Sequence, residues 1–328
     1  MKNENENKHW SQQEEQAAGY WQLKFLLILF NLLPVVVMRI IAFPVGFFYF
    51  LFSKRGRTES KRFLSTIAPF IKDPKIEKKC RSPFGPLRHI ISFSLALIEK
   101  IQSWSGKFPF NNIHFKDDDI SVLVSELESG RGVFLIFSHL GNAELLRGML
   151  GLDKTGLTKK ISVTAIMDLK VTAHFNRMIK ELNPQSAMDI ISADEIGPHT
   201  AVLLEEKIAS GGMVLIAGDR TSALGESRKY PIPFFGKEAD FSSGIFYMAA
   251  MMNAPVYFIF GMRRKDLSLI PEYDMYVHKN NLPFEYSKKE RLKNSLILAS
   301  SFVSLLENYC KEQPFQWYNF FDFWQEGK

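Results

Sequence analysis

Cysteine is almost missing from this chain: Cys80 and Cys310 are its two, far apart and without a C-x-x-C pair. That excludes a zinc-finger-like ligand set and a disulfide framework, and makes a reducing compartment the default expectation. There is no G-x-S-x-G, no P-loop and no G-x-G-x-x-G, which removes the usual serine-hydrolase, nucleotide and dinucleotide readings. His89, His114, His174, His199 and His278 lack metal-ligand spacing, so neither a metal site nor a cofactor is expected. Acidic charge is in deficit, 35 Asp and Glu against 41 Lys and Arg, for a net charge of +6. Such a balance suits anionic partners such as phospholipid headgroups or an acidic carrier protein. The basic residues are not interleaved with an RNA-binding signature, so nucleic acid is not an expected partner. Internal repeats and low-complexity linkers are also lacking. Residues 1–22 are polar, mixed in charge and followed by no small-residue cleavage site, which argues against a signal peptide.

What is abundant is apolar and aromatic. With 46% apolar residues and 29 Phe in 328 residues, the chain is long and greasy enough to bury a large core, and global disorder is excluded. Residues 23–57 form an apolar region whose centre, Phe25 to Phe52, is interrupted only by Asn31, Pro34, Arg39 and Pro44. It is long enough for a membrane span. However, Arg39 is costly in lipid, and the prolines predict a break or kink. Two shorter helices lying in a membrane interface, one true span, and ordinary core helices all remain open. The cluster Lys54-Arg55-Gly56-Arg57, with Lys61-Arg62 beyond, suits an anionic cytoplasmic leaflet or a solvated helix start.

The remainder, 58–328, reads as one α/β domain. Residues 58–104 are mostly helical with breaks at Pro74 and Pro83–Pro86. Asp117-Asp118-Asp119 reads as a helix N-terminus, with carboxylates at the positive dipole end. From Gly132 on, apolar runs at 133–137, 161–167, 188–192, 213–217 and 254–260 alternate with helical patterns at about 142–150, 171–182, 197–209 and 242–252. Leu267–Ile270 and Met275–Val277 suggest an added hairpin, and a long helix covers 288–311. This alternation predicts a mixed central sheet flanked by helices.

Val133 to Phe137 is a buried strand that stops at Ser138-His139, where open α/β sheets place their chemistry. Glu144 follows after four residues, on the expected first helical turn, giving a His–carboxylate pair with no Ser or Cys nucleophile. A neutral histidine steered by a carboxylate is a competent general base, although the pair alone fits a structural role as well. Ala217-Gly218-Asp219-Arg220 also ends a predicted strand, on what can be the same sheet edge. Arg220 suits a phosphate, a carboxylate or a developing oxyanion, with Asp219 anchoring it or nearby backbone; a surface ion pair is the plainer alternative. The proline-stiffened loop Pro231–Ala239, with Phe235 and Gly236, either walls a chain-binding groove or packs on the core.

Ser138-His139-Leu140-Gly141-Asn142-Ala143-Glu144 resembles the H-x₄-D/E block of the lysophospholipid acyltransferase superfamily. More narrowly it is similar to the bacterial lipid A biosynthesis (late) acyltransferase branch, where the acid is Glu. Gly218-Asp219-Arg220 falls at that branch's second polar block, and Phe234-Phe235-Gly236 through Gly244 matches its F-F-G segment. His9-Trp10 and the ending Gln316-Trp317-Tyr318-Asn319-Phe320-Phe321-Asp322-Phe323-Trp324 resemble a divergent group of predicted acyltransferases. Asp219-Arg220 stands where a D-Q-type block is more typical. The resemblance implies a glycerolphosphate-acyltransferase-like fold at the cytoplasmic face of a bacterial inner membrane. It also implies transfer of a fatty acyl group from acyl carrier protein or acyl-CoA to a hydroxyl or amine of a lipid-like acceptor, without an acyl-enzyme. His139 and Glu144 would be catalytic, and Arg220, Asp219, Arg147, Phe235 and Gly236 would bind substrate. A non-catalytic lipid-binding protein and a thioesterase-like hydrolase are the competing classes.

Overall fold

Runs of Val, Ile and Phe too short and too uniformly apolar for an amphipathic helix make the centre of the molecule. In the computed structural model, which describes residue 29 and residues 32–105, 107–116, 119–143, 145, 157–159, 161–167, 189–193, 196–220, 229–283 and 287–324, they become the strands of one sheet. These are β1 (Ile113–Phe115), β2 (Val133–Gly141), β3 (Val163–Met167), β4 (Asp189–Ser192), β5 (Met213–Ala217), β8 (Val256–Arg263) and β9 (Tyr273–Lys279). Their order across the sheet is β1-β9-β8-β2-β5-β3-β4. From β8 to β4 every neighbouring pair is parallel, whereas β9 runs antiparallel to β8 and carries β1 parallel to itself. Strand β2 sits between β5 and β8, and Val133, Phe134, Leu135 and Ile136 are fully buried. A strand covered on both faces needs no polar alternation, which is why this run was legible as a strand.

Two expectations are corrected. Leu267–Ile270 forms no strand; β9 pairs instead with β8, and 264–272 is the loop between them. The segment expected as a proline-stiffened loop is a hairpin, β6 (Lys229–Phe234) with β7 (Lys237–Ser242), separate from the main sheet. Pro231 and Pro233 are tolerated because in a two-stranded ribbon alternate residues need no N–H for pairing. Its two-residue turn, Phe235-Gly236, has positive φ at both positions (54° and 71°), the geometry that matches strand twist in a tight hairpin.

The helices begin with α1 (Val35–Phe52), α2 (Lys54–Ile67), α3 (Pro74–Arg81) and α4 (Gly85–Trp104). The basic cluster at 54–57 is the start of α2, with the Ser53 hydroxyl accepting from the Gly56 N–H at 3.1 Å. Asp119 opens α5 (Asp119–Glu128), as the dipole argument requires, and also accepts the Lys279 N–H at 2.8 Å. Then come α6 (Pro198–Ala209), α7 (Ser243–Met251) and α8 (Arg291–Glu312). Ser242 holds the N-cap position of α7, but its side chain makes no capping bond. Phe302 of α8 packs on Phe246, Phe258 and Phe260, fastening α7 and α8 to one face of the sheet.

The predicted proline break falls only partly. Pro34 stands at the N-cap of α1, while Pro44 lies inside a continuous 18-residue helix. Packing on both sides of Pro44 holds it: Ala42 and Gly46 face α4, and a Cβ at Gly46 would lie 3.0 Å from the Ile91 side chain. Arg39, within the same stripe, is 5% exposed and turned into the protein. By length and composition α1 is long and apolar enough to cross a membrane.

Candidate active site

Parallel pairing decides where the site lies. Phe137 of β2 is opposite Ala217 of β5, the last pair of that ladder, so the residues beyond Phe137 and beyond Ala217 reach the same sheet edge. Beyond Phe137 the pairing of β2 with β8 shifts register, resuming at Gly141 opposite Gly261. Within this irregular stretch lies His139. Gly141 is indispensable to it: φ is +68°, and an added Cβ would fall 1.9 Å from the Gly261 carbonyl oxygen. Only a glycine allows that approach, which brings the Asn142 N–H to the same oxygen at 2.6 Å.

Asp219, two residues past the end of β5, is fully buried and meets His139 directly. Its Oδ1 accepts from His139 Nδ1 at 2.7 Å, and its Oδ2 accepts from the His139 backbone N–H at 2.7 Å. A third donor, Trp317 Nε1–H, reaches Oδ2 at 2.8 Å. Burial opposes a charge on Asp219, but the histidine and these three hydrogen bonds outweigh it and hold the carboxyl below its ordinary range. An ionised carboxylate only accepts, so Nδ1 carries the imidazole proton and Nε2 keeps its lone pair. The His139 pKa is itself lowered, by burial first and then by the positive charge of Arg220, with Asp219 opposing and Lys100 adding to the fall. Its side chain keeps 29% exposure. The result is a neutral, oriented imidazole with one free-lone-pair nitrogen: a base.

The C-terminal segment is part of this site. The Tyr318 N–H donates to the His139 carbonyl at 3.1 Å, and Leu140 bridges to Trp317. Trp317 is fixed in turn by His89, whose Nε2–H donates to the Trp317 carbonyl at 2.9 Å while Nδ1 accepts from the Ser60 hydroxyl at 2.9 Å. Enclosed completely, His89 is held neutral, its pKa pushed down to about 4 by burial. A chain of hydrogen bonds thus runs from Ser60 on α2 through His89, Trp317 and Asp219 to His139.

The structure brings His139, Asp219 and Arg220 together; the Arg220 guanidinium lies over the Phe321 ring at 5.9 Å. Glu144 and Arg147 lie outside the described residues. Phe235 is 1% exposed and packs on Phe70 and Phe234, with its N–H donating to Glu307 at 2.9 Å. Gly236 shares its turn, and the hairpin touches the site through Phe234 on Trp317, ring centroids 5.3 Å apart. Sequence reasoning missed that Asp219 faces the histidine, and it missed Trp317, His89 and Lys100. For Asp219 the signal was present, a carboxylate directly after a strand on the shared edge. For Trp317 and His89 there was none, since Trp317 lies 178 positions from His139, and His89, which fixes it, lies 228 positions from Trp317.

None of the curated proteins compared matches the chain. The family model for bacterial lipid A biosynthesis acyltransferases matches residues 6–326. With nearly its whole length covered, the chain belongs to the bacterial lipid A biosynthesis acyltransferase family.

Proposed function

We propose that this protein moves a fatty acyl group from an acyl carrier protein or acyl-CoA thioester to a hydroxyl or amine of a lipid-like acceptor. The reading is supported by membership of an acyltransferase family and, above all, by the His139 imidazole fixed through Nδ1 on buried Asp219. His139 Nε2 takes the proton from the acceptor O–H or N–H as that atom attacks the acyl carbonyl. The tetrahedral adduct then collapses, the C–S bond breaks, and the imidazolium returns its proton to the thiolate. No side chain is acylated. Asp219 stabilises the imidazolium as it forms. Glu144, outside the described residues, is proposed as a second carboxylate that steers the same base. Arg220 supplies positive charge for an acceptor phosphate or the oxyanion, with Arg147 a second candidate for that work. Phe235 and Gly236 support the site from behind through Phe234 and Trp317. The positive net charge and the exposed apolar α1 suit work at the cytoplasmic face of an inner membrane, with anionic headgroups and an acidic carrier as neighbours.

The test is thiol release from acyl-carrier-protein and acyl-CoA donors by purified protein in the presence of membrane lipid extract, with lipid products identified by mass spectrometry. Acceptor-dependent thiol release that disappears in His139→Ala is the expected result. Free fatty acid released without acceptor would indicate a hydrolase instead, and lipid binding unchanged by His139→Ala without any turnover would indicate a binding protein.

A further inference from the structure

From the packing of α1 we infer that this helix lies flat in the membrane interface, parallel to the bilayer surface, rather than crossing it. The inference rests on the membrane-associated reading above and decides how that association is made.

Helix α1 is one-sided. Met38, Arg39, Ala42 and Gly46 are buried, whereas Val36, Ile40, Val45, Phe47, Phe48 and Leu51 are exposed between 44% and 56%. The buried stripe runs antiparallel along α4: Gly46 abuts Ile91, and Arg39 reaches Gln102. Met38 and Ala42 join Ile91, Leu95, Ile98 and Ile101 of α4 in one apolar cluster, which Val35, Phe43 and Leu267 border. From Val35 to Gly46 the helix is therefore in contact with the domain over roughly 16 Å, at about 1.5 Å per residue.

That contact is incompatible with a span. Were α1 upright in a bilayer whose apolar core is about 30 Å thick, the parts of the domain beside Arg39 would lie at hydrocarbon depth. Those parts are polar. Arg39 donates to Gln102 and to the Leu269 carbonyl at 3.1 Å and lies 3.7 Å from Glu99. Leu269 belongs to the irregular loop 264–272, whose Arg264 and Lys265 are exposed, and exposed loop backbone is not found in hydrocarbon. Lying flat removes the conflict: the stripe that carries Arg39 faces the protein and the outer face meets acyl chains.

The occupant of the outer face is a lipid surface, argued from the charge beside it. Exposed Lys54, Arg55 and Lys61 follow the apolar helix directly, at the level where anionic headgroups would be. Arg57 donates to the Phe50 and Leu51 carbonyls, closing the C-terminal end of α1 and satisfying backbone groups that interfacial burial would strand.

The test is fluorophore depth. Val36→Cys and Phe47→Cys lie on the same exposed face, 11 residues apart, and native Cys80 and Cys310 are buried. The full chain, labelled at either site with an environment-sensitive probe, is added to preformed vesicles of phosphatidylethanolamine and phosphatidylglycerol carrying quenchers at known depths in the outer leaflet only. Equal, shallow depth at both positions is expected. A difference approaching 16 Å, the helical rise between the two sites, would overturn the inference. Absence of quenching at both sites would instead overturn the membrane-associated reading beneath it.

Discussion

At Asp219 a single oxygen substitution carries the heaviest consequence. Its two carboxylate oxygens receive three N–H donors, and an Asn offers one acceptor only. Asp219→Asn therefore sets an NH₂ against at least one N–H and disturbs the tautomer of His139. Turnover should fall by about 10²–10⁴, the usual worth of a positioned base, with the fold retained by circular dichroism. The pH profile reads the same site from another side. Because the His139 pKa is lowered in the folded protein, the base stays neutral below the ordinary histidine value of about 6.5, and the acid limb of kcat/KM should lie under it. Arg220→Gln removes one cause of the lowering, so that limb should move upward in pH, whatever it costs in rate. His89 makes a stability prediction. Its folded pKa near 4 lies below its unfolded value, so its contribution is whole above about pH 6.5 and is lost as pH falls towards 4. About 3 kcal/mol is at stake, at 1.36 kcal/mol per unit. Urea unfolding in detergent at pH 7 and pH 4.5 should show a smaller loss for His89→Gln, which keeps an acceptor for Ser60 and a donor for Trp317 without titrating.

Among the elements, β2 and the α1–α4 pair show how local choices position chemistry. The register shift that exposes His139 depends on Gly141, and Gly141→Ala would push a Cβ into the Gly261 carbonyl while straining a positive φ. Loss of activity together with lowered thermal stability is expected, whereas a stable, active variant would mean that β2 and β8 can separate without harm. Helix α1 is tied to the sheet through a buried ionic cluster. Glu99, fully buried, accepts from Arg263 Nη2 at 2.6 Å and from the Tyr273 hydroxyl, and stands near Arg39. Glu99→Gln leaves two buried guanidinium groups without their counter-charge. Breaking such a set by removing one partner typically costs about 3–5 kcal/mol, measurable as a fall in the denaturant midpoint.

For the whole molecule, much of the fold is legible in the sequence. The alternation after Gly132 located the strands Val133–Gly141, Val163–Met167, Asp189–Ser192, Met213–Ala217 and Val256–Arg263 within a few residues, because a doubly covered parallel strand is a short continuous apolar run. Likewise the long helix, the dipole role of Asp119 and the shared edge of His139 and Asp219 follow from local pattern. The β6–β7 hairpin was not legible, because its prolines argue against a strand unless the ribbon is known to have only two members. Nor did periodicity tell whether Arg39 faces lipid or protein. Residue types and order alone determined that a histidine follows a buried apolar run, that an Asp-Arg pair follows another, and that a greasy segment precedes both, whereas β2 itself continues past the expected stop at Ser138-His139 to Gly141. Only the tertiary structure decided which carboxylate holds Nδ1 of that histidine, and that Trp317 and His89, drawn from the opposite end of the chain and from α4, hold the carboxylate. Hydrogen bonds of that kind join atoms brought together by sheet order and helix packing, and neither leaves a trace in the spacing of residues along the chain.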